Sequence, residues 1–174
     1  MSVQEEFMRR AISLATENVR SNAGGPFGAV IVKDGQIVGE GVNTVTATID
    51  ATAHAEVNAI RDACRKLNTF DLSNCELYTS CQPCPMCWSA SYWAHIKTIY
   101  YGNTAEDAAR IHFPDAFLYE QLALPHEKRI IPEYELLRQE AWESFQAWSD
   151  STRKVEFQIA PEGHPSPGVF RQNS

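Results

Sequence analysis

The chain has 174 residues, of which 44% are hydrophobic and 21% charged, close to the composition of an ordinary globular domain. This composition excludes disorder of the whole chain and a fibrous repeat, and the length predicts one domain. The 15 Lys and Arg against 22 Asp and Glu give a net charge of −7, which argues against a strongly basic nucleic-acid surface. No apolar run approaches the roughly 20 residues that a membrane-spanning helix needs.

The distribution of cysteines indicates a reducing compartment. The first 20 residues mix Glu with Arg and lack the apolar segment of a signal peptide, so we expect no export. Of five cysteines, three lie within residues 81–87. In a chain that is not exported, such crowding favours metal binding over a disulfide framework. We therefore expect a cytoplasmic protein.

The apolar pattern predicts alternating helices and strands. Apolar residues recur at spacings of three and four near the N-terminus, which indicates an amphipathic helix. Asp34-Gly35 is a strong two-residue hairpin signal between two runs of strand-forming residues. Pro85 suits the first residue of a helix, where its missing N–H is no loss. The predicted elements are, in order, a helix over 7–19, strands over 29–33 and 36–42, a helix capped by Thr52 that runs to about Leu67, a strand over 75–79, a helix from Pro85 to about His95, and a strand over 98–101.

The C-terminal third differs in composition from the rest. Residues 104–150 hold ten acidic and four basic side chains. A final strand over 133–137 and a helix over 139–154 are predicted there. The order of elements predicts a three-layer α/β/α sandwich around a five-stranded mixed sheet whose later strands run parallel. We assign residues 1–157 to one domain and residues 158–174 to a flexible tail.

The strongest chemical signal is one histidine and two cysteines at a spacing that suits zinc. His54 lies near the predicted start of one helix, and Cys84 and Cys87 lie at the start of another. One imidazole and two thiolates leave the fourth tetrahedral position for water, as in catalytic zinc sites. The two cysteines are three residues apart and so share a helix face. Positive helix ends favour their thiolate forms, and zinc lowers the pKa of its water to about 7.

Glu56 makes an enzyme more plausible than a structural metal site. It follows His54 by two residues, so its carboxylate can move a proton between water and substrate without being a ligand. His-x-Glu followed by Pro-Cys-x-x-Cys is a signature of zinc-dependent nucleobase deaminases. The alternative is a structural zinc site with Cys81 as the fourth ligand and Glu56 as a solvated helix residue. We favour a small buried residue at a strand end as the interpretation of Cys81.

Several segments together resemble the cytidine deaminase superfamily, and within it they look most like the bacterial guanine deaminases. The segments are GGPFGAVIVKDG, EGVN, TAHAEVNAIR, YTSCQPCPMC and YWA, followed by FPDAFLY, RIIPEYEL and FQAW. The resemblance covers roughly residues 5–157. It implies the cytidine deaminase-like sandwich, a Zn²⁺ cofactor and a homodimer.

The resemblance also implies a role for individual residues around the metal. Asn43 is expected to hydrogen-bond the base, Phe27 to pack near its ring, and Ala55 to offer its backbone N–H. Asp115 is expected near the amino group that is replaced, and Trp93 in the wall of the pocket. Alternatives are open for two of these residues: Asn43 is also a typical turn residue after a strand, and Asp115 is also a plausible loop carboxylate.

The C-terminal helix carries Trp142, Phe145 and Trp148, more apolar surface than a solvated terminal helix should expose. The resemblance implies a homodimer in which this segment is exchanged and Phe157 covers the partner's pocket. The family commonly has Tyr where this chain has Phe157, and Glu where it has Gln82. The alternative is a helix that folds back onto its own sheet.

These observations lead to one expected activity and to alternatives. We expect hydrolytic deamination of guanine to xanthine and ammonia, with Glu56 and Asp115 as the groups that move protons. The main alternative is a deaminase of adenosine in tRNA, which the acidic net charge disfavours. Other amino-heterocycles and nucleosides, such as cytosine, guanosine and ammeline, are further candidates for the same chemistry.

Overall fold

A computed structural model of the chain describes residues 2–155. In chain order the elements are α1 (Val3–Arg20), β1 (Gly28–Lys33), β2 (Gln36–Val42), α2 (Val45–Thr48), α3 (Ala55–Leu67), β3 (Cys75–Cys81), α4 (Pro85–Trp93), β4 (Thr98–Asn103), α5 (Ala105–Arg110), α6 (Ala116–Ala123), a 3₁₀ turn (His126–Lys128) and α7 (Arg138–Asp150). Among the helices of residues 2–155, none has the length and apolar character needed to cross a bilayer.

The sheet lies between two helical layers. Its strand order is β2-β1-β3-β4, with β1 antiparallel to both neighbours and β3 parallel to β4. Because successive side chains of a strand point to opposite faces, Val30 and Ile31 serve different cores. Val30 packs with Tyr78 and with Phe7 of α1 on one face. On the other face, Ile31 packs in the core formed with α3 and α4. The three-layer α/β/α class is confirmed.

Two glycines of β2 let α3 lie unusually close to the sheet. A Cβ on Gly41 would collide with the backbone of Ala55 and Ala59, and one on Gly39 would collide with the backbone of Ala59 and the side chain of Ala63. Glycine is therefore required at both positions by close approach rather than by turn geometry. The small residues on both sides fix the first turn of α3 against the end of the sheet.

Most of the predicted elements are confirmed, with changes at their ends. The predicted cap at Thr52 is wrong, because the residue that precedes the first turn of α3 is His54. The Thr52 hydroxyl instead donates to the Asp50 carboxylate at 2.7 Å within the preceding turn. The short helices α2, α5 and α6 were not predicted, since four to eight residues are too few to show a clear helical period.

The predicted fifth strand is wrong for the described sheet, which has four strands. Over residues 133–137 the described chain has no strand, and Leu137 adopts a left-handed conformation with φ 52°. All residues from 130 to 150 are exposed, so this segment finds no partner strand among residues 2–155. An alternating pattern shows that a segment can pair, but it does not show which chain carries the partner strand.

We expect Gly41→Ala to destabilise the protein by about 1–3 kcal/mol or more, because the added methyl forces α3 away from β2. Gly35→Asn is the matched control: Gly35 has φ 74° with nothing near its missing side chain, and Asn tolerates that conformation. Urea unfolding of both variants measures the difference. Equal stability of Gly41→Ala and the wild type would contradict the tight packing.

Candidate active site

His54, Cys84 and Cys87 come together although 30 residues separate the histidine from the first cysteine. The Nδ1 atom of His54 lies 3.6 Å from the Cys84 Sγ and 3.5 Å from the Cys87 Sγ. The three candidate ligand atoms all lie within 4.8 Å of one another. An imidazole nitrogen and two thiol sulfurs at such spacing suit a tetrahedral metal ion with one position left open.

Two helix starts bring these ligands together. His54 is the residue before the first turn of α3, and Cys84 is the residue before the first turn of α4. The Asn58 amide donates to the carbonyls of Val42 (2.9 Å) and Ala53 (3.3 Å). These bonds tie the residue before His54 to the end of β2.

The environment of the two cysteines favours a thiolate. The Cys84 sulfur accepts a hydrogen bond from Cys87, which lowers the pKa of Cys84, and His54 beside it lowers that pKa further. Unpaired backbone N–H groups in the first turn of α4 favour negative charge at the same place. A sulfur that is already anionic is ready to bind a cation.

Glu56 lies at the second position of α3, where its side chain is 6% exposed. The Thr79 hydroxyl of β3 donates to its Oε1 at 3.3 Å. Burial raises the pKa of Glu56 above the usual value of a glutamate. The carboxyl therefore lies inside the site and not on a solvated helix surface, which counts against the structural-metal alternative.

Cys81 lies close to the metal-ligand group but has a different partner. Its thiol donates to the Thr104 carbonyl at 3.7 Å. Burial raises the pKa of Cys81 to about 11. A protonated thiol engaged with a carbonyl is not arranged as a fourth ligand, and this supports the interpretation of Cys81 as a small buried residue.

The chain after β4 returns to the site and delivers Asp115. The Thr104 side chain and Asp107 form a capping box that starts α5. Further on, the Tyr119 hydroxyl donates to the Pro83 carbonyl at 3.3 Å, which docks α6 beside the loop that carries the cysteines. Burial raises the pKa of Asp115, and the nearby Cys84 thiolate raises it further.

A cavity opens between these groups. Its lining residues are Phe27, Asn43, His54, Glu56, Cys81, Gln82, Cys84, Phe113 and Asp115. Phe27 and Phe113 form one wall, with their rings 5.0 Å apart and perpendicular. The cavity thus joins an apolar wall, two side-chain amides, two carboxyls and the metal-ligand group in one place.

Besides Cys81, which was interpreted as a small buried residue, two lining residues did not appear among the predicted site residues. Gln82 follows β3, and its Oε1 accepts a hydrogen bond from the Ala105 N–H at 3.3 Å. Phe113 lies two residues before Asp115, and its position next to Phe27 depends on a contact between distant segments. No local pattern marks Phe113, whereas the place of Gln82 between two cysteines of the motif was an available signal.

Three predicted site residues are not among the described residues that line this cavity, each for a different reason. Ala55 is buried as the first residue of α3, so its N–H has no acceptor within the helix. Trp93 is half exposed at the far end of α4 from Cys84 and is not among the residues that line the cavity. Phe157 lies outside the described residues. The roles of all three stay predictions.

Similarity to known proteins defines the class of this site. Residues 1–103 match the cytidine and deoxycytidylate deaminase zinc-binding region. The chain belongs to this family of zinc-binding deaminases. A crystal structure of guanine deaminase from Bacillus subtilis superposes with a TM-score of 0.87 at 49% identity, over 91% of this chain and 100% of that one. The curated guanine deaminase of the same species is 50% identical over 88% of this chain and 98% of its own length.

More distant relatives share the zinc region and differ in substrate. A guanine deaminase structure from Nitrosomonas europaea has a TM-score of 0.60 at 32% identity, over 63% of each chain. The tRNA-specific adenosine deaminase of Aquifex aeolicus is 47% identical over 42% of this chain and 49% of its own length.

We expect Cys84→Ser to lose bound metal and Cys81→Ser to keep it, because Cys84 faces the His54 nitrogen at 3.6 Å whereas Cys81 donates to the Thr104 carbonyl. Zinc added in slight excess and then removed by gel filtration leaves a metal-to-protein ratio that emission spectroscopy measures. The two variants are matched, since each replaces one buried thiol by a hydroxyl. Loss of the metal from Cys81→Ser would assign Cys81 to the ligand set.

Proposed function

We propose that this protein hydrolyses guanine to xanthine and ammonia. The observation that carries the proposal is one cavity at which the His54–Cys84–Cys87 group meets the buried carboxyl of Glu56 and the half-buried carboxyl of Asp115. Similarity to the Bacillus subtilis guanine deaminase extends over nearly the whole of that protein, including the segment that delivers Asp115. Zinc held by the three ligands fits the donor set.

The zinc and the residues around its ligands have different roles in the proposed reaction. When bound, zinc would act as a Lewis acid that lowers the pKa of a water molecule, so that hydroxide is available at neutral pH. Glu56 accepts a proton from the attacking water and donates it to the ring nitrogen next to C2, as a new C2–O bond forms. Glu56 then takes the proton of the new C2 hydroxyl and passes it to the leaving amine with the help of Asp115, as the C2–N bond breaks and the C2=O group forms. One water is consumed and one ammonia leaves.

The opposite wall of the cavity recognises the base. In this proposal Phe27 offers an aromatic edge or face for the ring, and the Asn43 side chain binds a polar atom of the base. The N–H of Ala55, which follows His54 at the start of α3, is proposed as a further donor although Ala55 does not line the cavity. The Asn43 Oδ1 accepts a hydrogen bond from the Val45 N–H at 3.3 Å. This bond leaves its amide N–H groups as donors for a carbonyl oxygen of the substrate.

Deamination of adenosine in tRNA is the second candidate. It is favoured by the similarity of the zinc region to a tRNA-specific adenosine deaminase. It is opposed by the net charge of −7, because binding to a phosphate backbone needs clustered cations. The pocket residues alone do not separate guanine from cytosine, guanosine or ammeline.

We expect guanine to be preferred to adenine by about 10²-fold or more in kcat/KM. Donors aimed at an oxo group lose their acceptors when adenine binds, and unpaired buried groups discriminate strongly. Ammonia release from the zinc-loaded protein with guanine, adenine, cytosine, guanosine, ammeline and tRNA measures the preference. Comparable kcat/KM for guanine and adenine would contradict the proposal.

The control in this assay is Glu56→Gln, which keeps the volume of the side chain but cannot carry a proton. We expect it to retain one zinc and to lose about 10²–10⁴-fold in turnover. Turnover near the wild-type rate with stoichiometric zinc would remove Glu56 from the mechanism.

We further propose a homodimer in which the C-terminal segment is exchanged, as the resemblance to guanine deaminases implies. Two features of the described chain support it. Trp142, Phe145 and Trp148 of α7 are all exposed, by 61%, 66% and 49%, which is unfavourable for a helix in water unless another surface covers it. In addition, residues 133–137 have a strand-like sequence without a strand beside them, while β4 lies at the edge of the sheet. Exchange of an identical element is a low-cost route to a dimer.

In such a dimer Phe157, which lies outside the described residues, covers the cavity of the partner subunit. We extend the deaminase domain to residues 1–157 on this basis and treat residues 158–174 as a tail. We also place the protein in the reducing cytoplasm, because five free cysteines and thiolate metal ligands require reduced sulfur.

A complementation experiment tests the exchange. Truncation after Ser149 should give a zinc-bound but inactive chain, because its pocket lacks the lid. Mixing it with full-length Glu56→Gln should restore some activity, since each chain supplies what the other lacks. The matched control mixes the truncated chain with truncated Glu56→Gln and should stay inactive. Mixed dimers of the first pair without activity would show that the lid does not act in trans.

A further inference from the structure

Near the end of α1 lies a buried asparagine that the proposed reaction does not use. Asn18 is 4% exposed and belongs to a helix that contributes no metal ligand and no residue of the cavity lining. A side-chain amide buried in this way costs free energy unless its polar atoms have partners. The partners of Asn18 therefore indicate what the residue is for.

The Asn18 amide joins two segments that each carry one wall of the cavity. Its Nδ2 donates to the Gly25 carbonyl and to the Asn43 carbonyl, each at 2.8 Å. Between these acceptors the Asn43 N–H donates to the Phe27 carbonyl at 3.1 Å. The loop with Phe27 and the end of β2 with Asn43 are thus held to each other and to α1 at one point. We refer to these four residues as the asparagine clamp.

The clamp is tightly packed as well as hydrogen-bonded. A Cβ on Gly24 would collide with the Asn43 carbonyl and come within 2.9 Å of the Asn18 Nδ2. The backbone carbonyl of Asn18 has a different role: it accepts a hydrogen bond from the Ala23 N–H at 3.0 Å at the end of the helix. The side chain is therefore not needed to end α1, and its two bonds serve the neighbouring loop and strand.

We propose that Asn18 is a positioning residue that sets where Asn43 and Phe27 stand relative to the metal ligands, and thereby the affinity for the base. This inference rests on the proposed function for the identity of the substrate. His54, Cys84 and Cys87 are held by α3 and α4, which Asn18 does not contact through its side-chain bonds. Loss of the clamp should therefore weaken binding of the base and leave the metal and the chemical step in place.

The test is a set of steady-state measurements on full-length, zinc-loaded variants. Asn18→Asp keeps the shape but replaces the two N–H donors by an oxygen that faces two carbonyls. Asn18→Ala removes the amide altogether. It is the variant to measure if the buried carboxyl that Asn18→Asp introduces prevents folding. For either variant we expect KM for guanine to rise about tenfold, as for loss of one hydrogen bond to the substrate. We expect kcat to change less than about threefold and zinc content to stay at the wild-type value.

The matched control is Arg10→Gln. Arg10 ties the same helix to β2 through two hydrogen bonds to the Glu40 carboxylate, at 2.7 and 2.9 Å, without touching the clamp. We expect Arg10→Gln to lower the melting temperature and leave KM unchanged. An equal rise of KM in this control, or a joint loss of zinc and kcat in the Asn18 variants, would make Asn18 an ordinary structural residue and overturn the proposal.

A double-mutant cycle tests whether Asn18 acts through Asn43. In an Asn43→Ala background, Asn18→Ala should raise KM by clearly less than tenfold, because the Asn43 amide is gone and only the contribution through Phe27 remains. A full tenfold effect in that background would overturn the positioning role. If the wild-type chain hydrolyses another base in preference to guanine, the proposed function fails. The same double-mutant cycle, measured with that base, still tests whether Asn18 acts through Asn43.

Discussion

The direction of the four strands is the constraint on which the site depends. β2 and β3 are both antiparallel to β1 and so point the same way, and β4 is parallel to β3. The chain therefore leaves β2 and β3 at the same end of the sheet, where α3, after the short α2, and α4 begin. Polar groups placed at the carboxyl ends of such strands converge. His54 and Cys84 each lie at one of these helix starts, and the chain that leaves β4 at the same edge carries Asp115.

The parts of the site that sequence could predict are those with a local cause. Ligand chemistry identifies His54, Cys84 and Cys87, and spacing along one helix places Glu56 beside them. Contacts between distant segments have no such local cause. Phe113, for example, reaches the cavity only because the chain returns to it after β4. The sequence predicts the helices and hairpin well because caps, turn residues and apolar periods are short-range signals. It does not reveal whether the strand-like residues 133–137 pair within one chain, because the pattern is the same in either case.

The wall that receives the base differs in construction from the metal-ligand group. The candidate metal ligands lie at the starts of α3 and α4, and α3 packs closely on β2. Their position therefore follows from rigid elements. Phe27 and Asn43 lie instead on a loop and at a strand end, where backbone position depends on a few hydrogen bonds. Such a division lets a family retain one metal chemistry while the base-binding wall changes. The relatives with different printed substrates fit this division, because they share the zinc region over only part of their length.

The order of these elements along the chain has a consequence for biosynthesis. All four strands and all three metal ligands lie between residues 28 and 103, and α1 precedes them. A ribosome therefore releases a complete sheet and metal-ligand set while the acidic segment that carries Asp115 is still being made. Chains fold during synthesis from the N-terminal side, so the metal-ligand core can form first as a template. Asp115 and the exposed aromatic helix are synthesised later, so the residues that could hold a metal are complete before the cavity has its full lining.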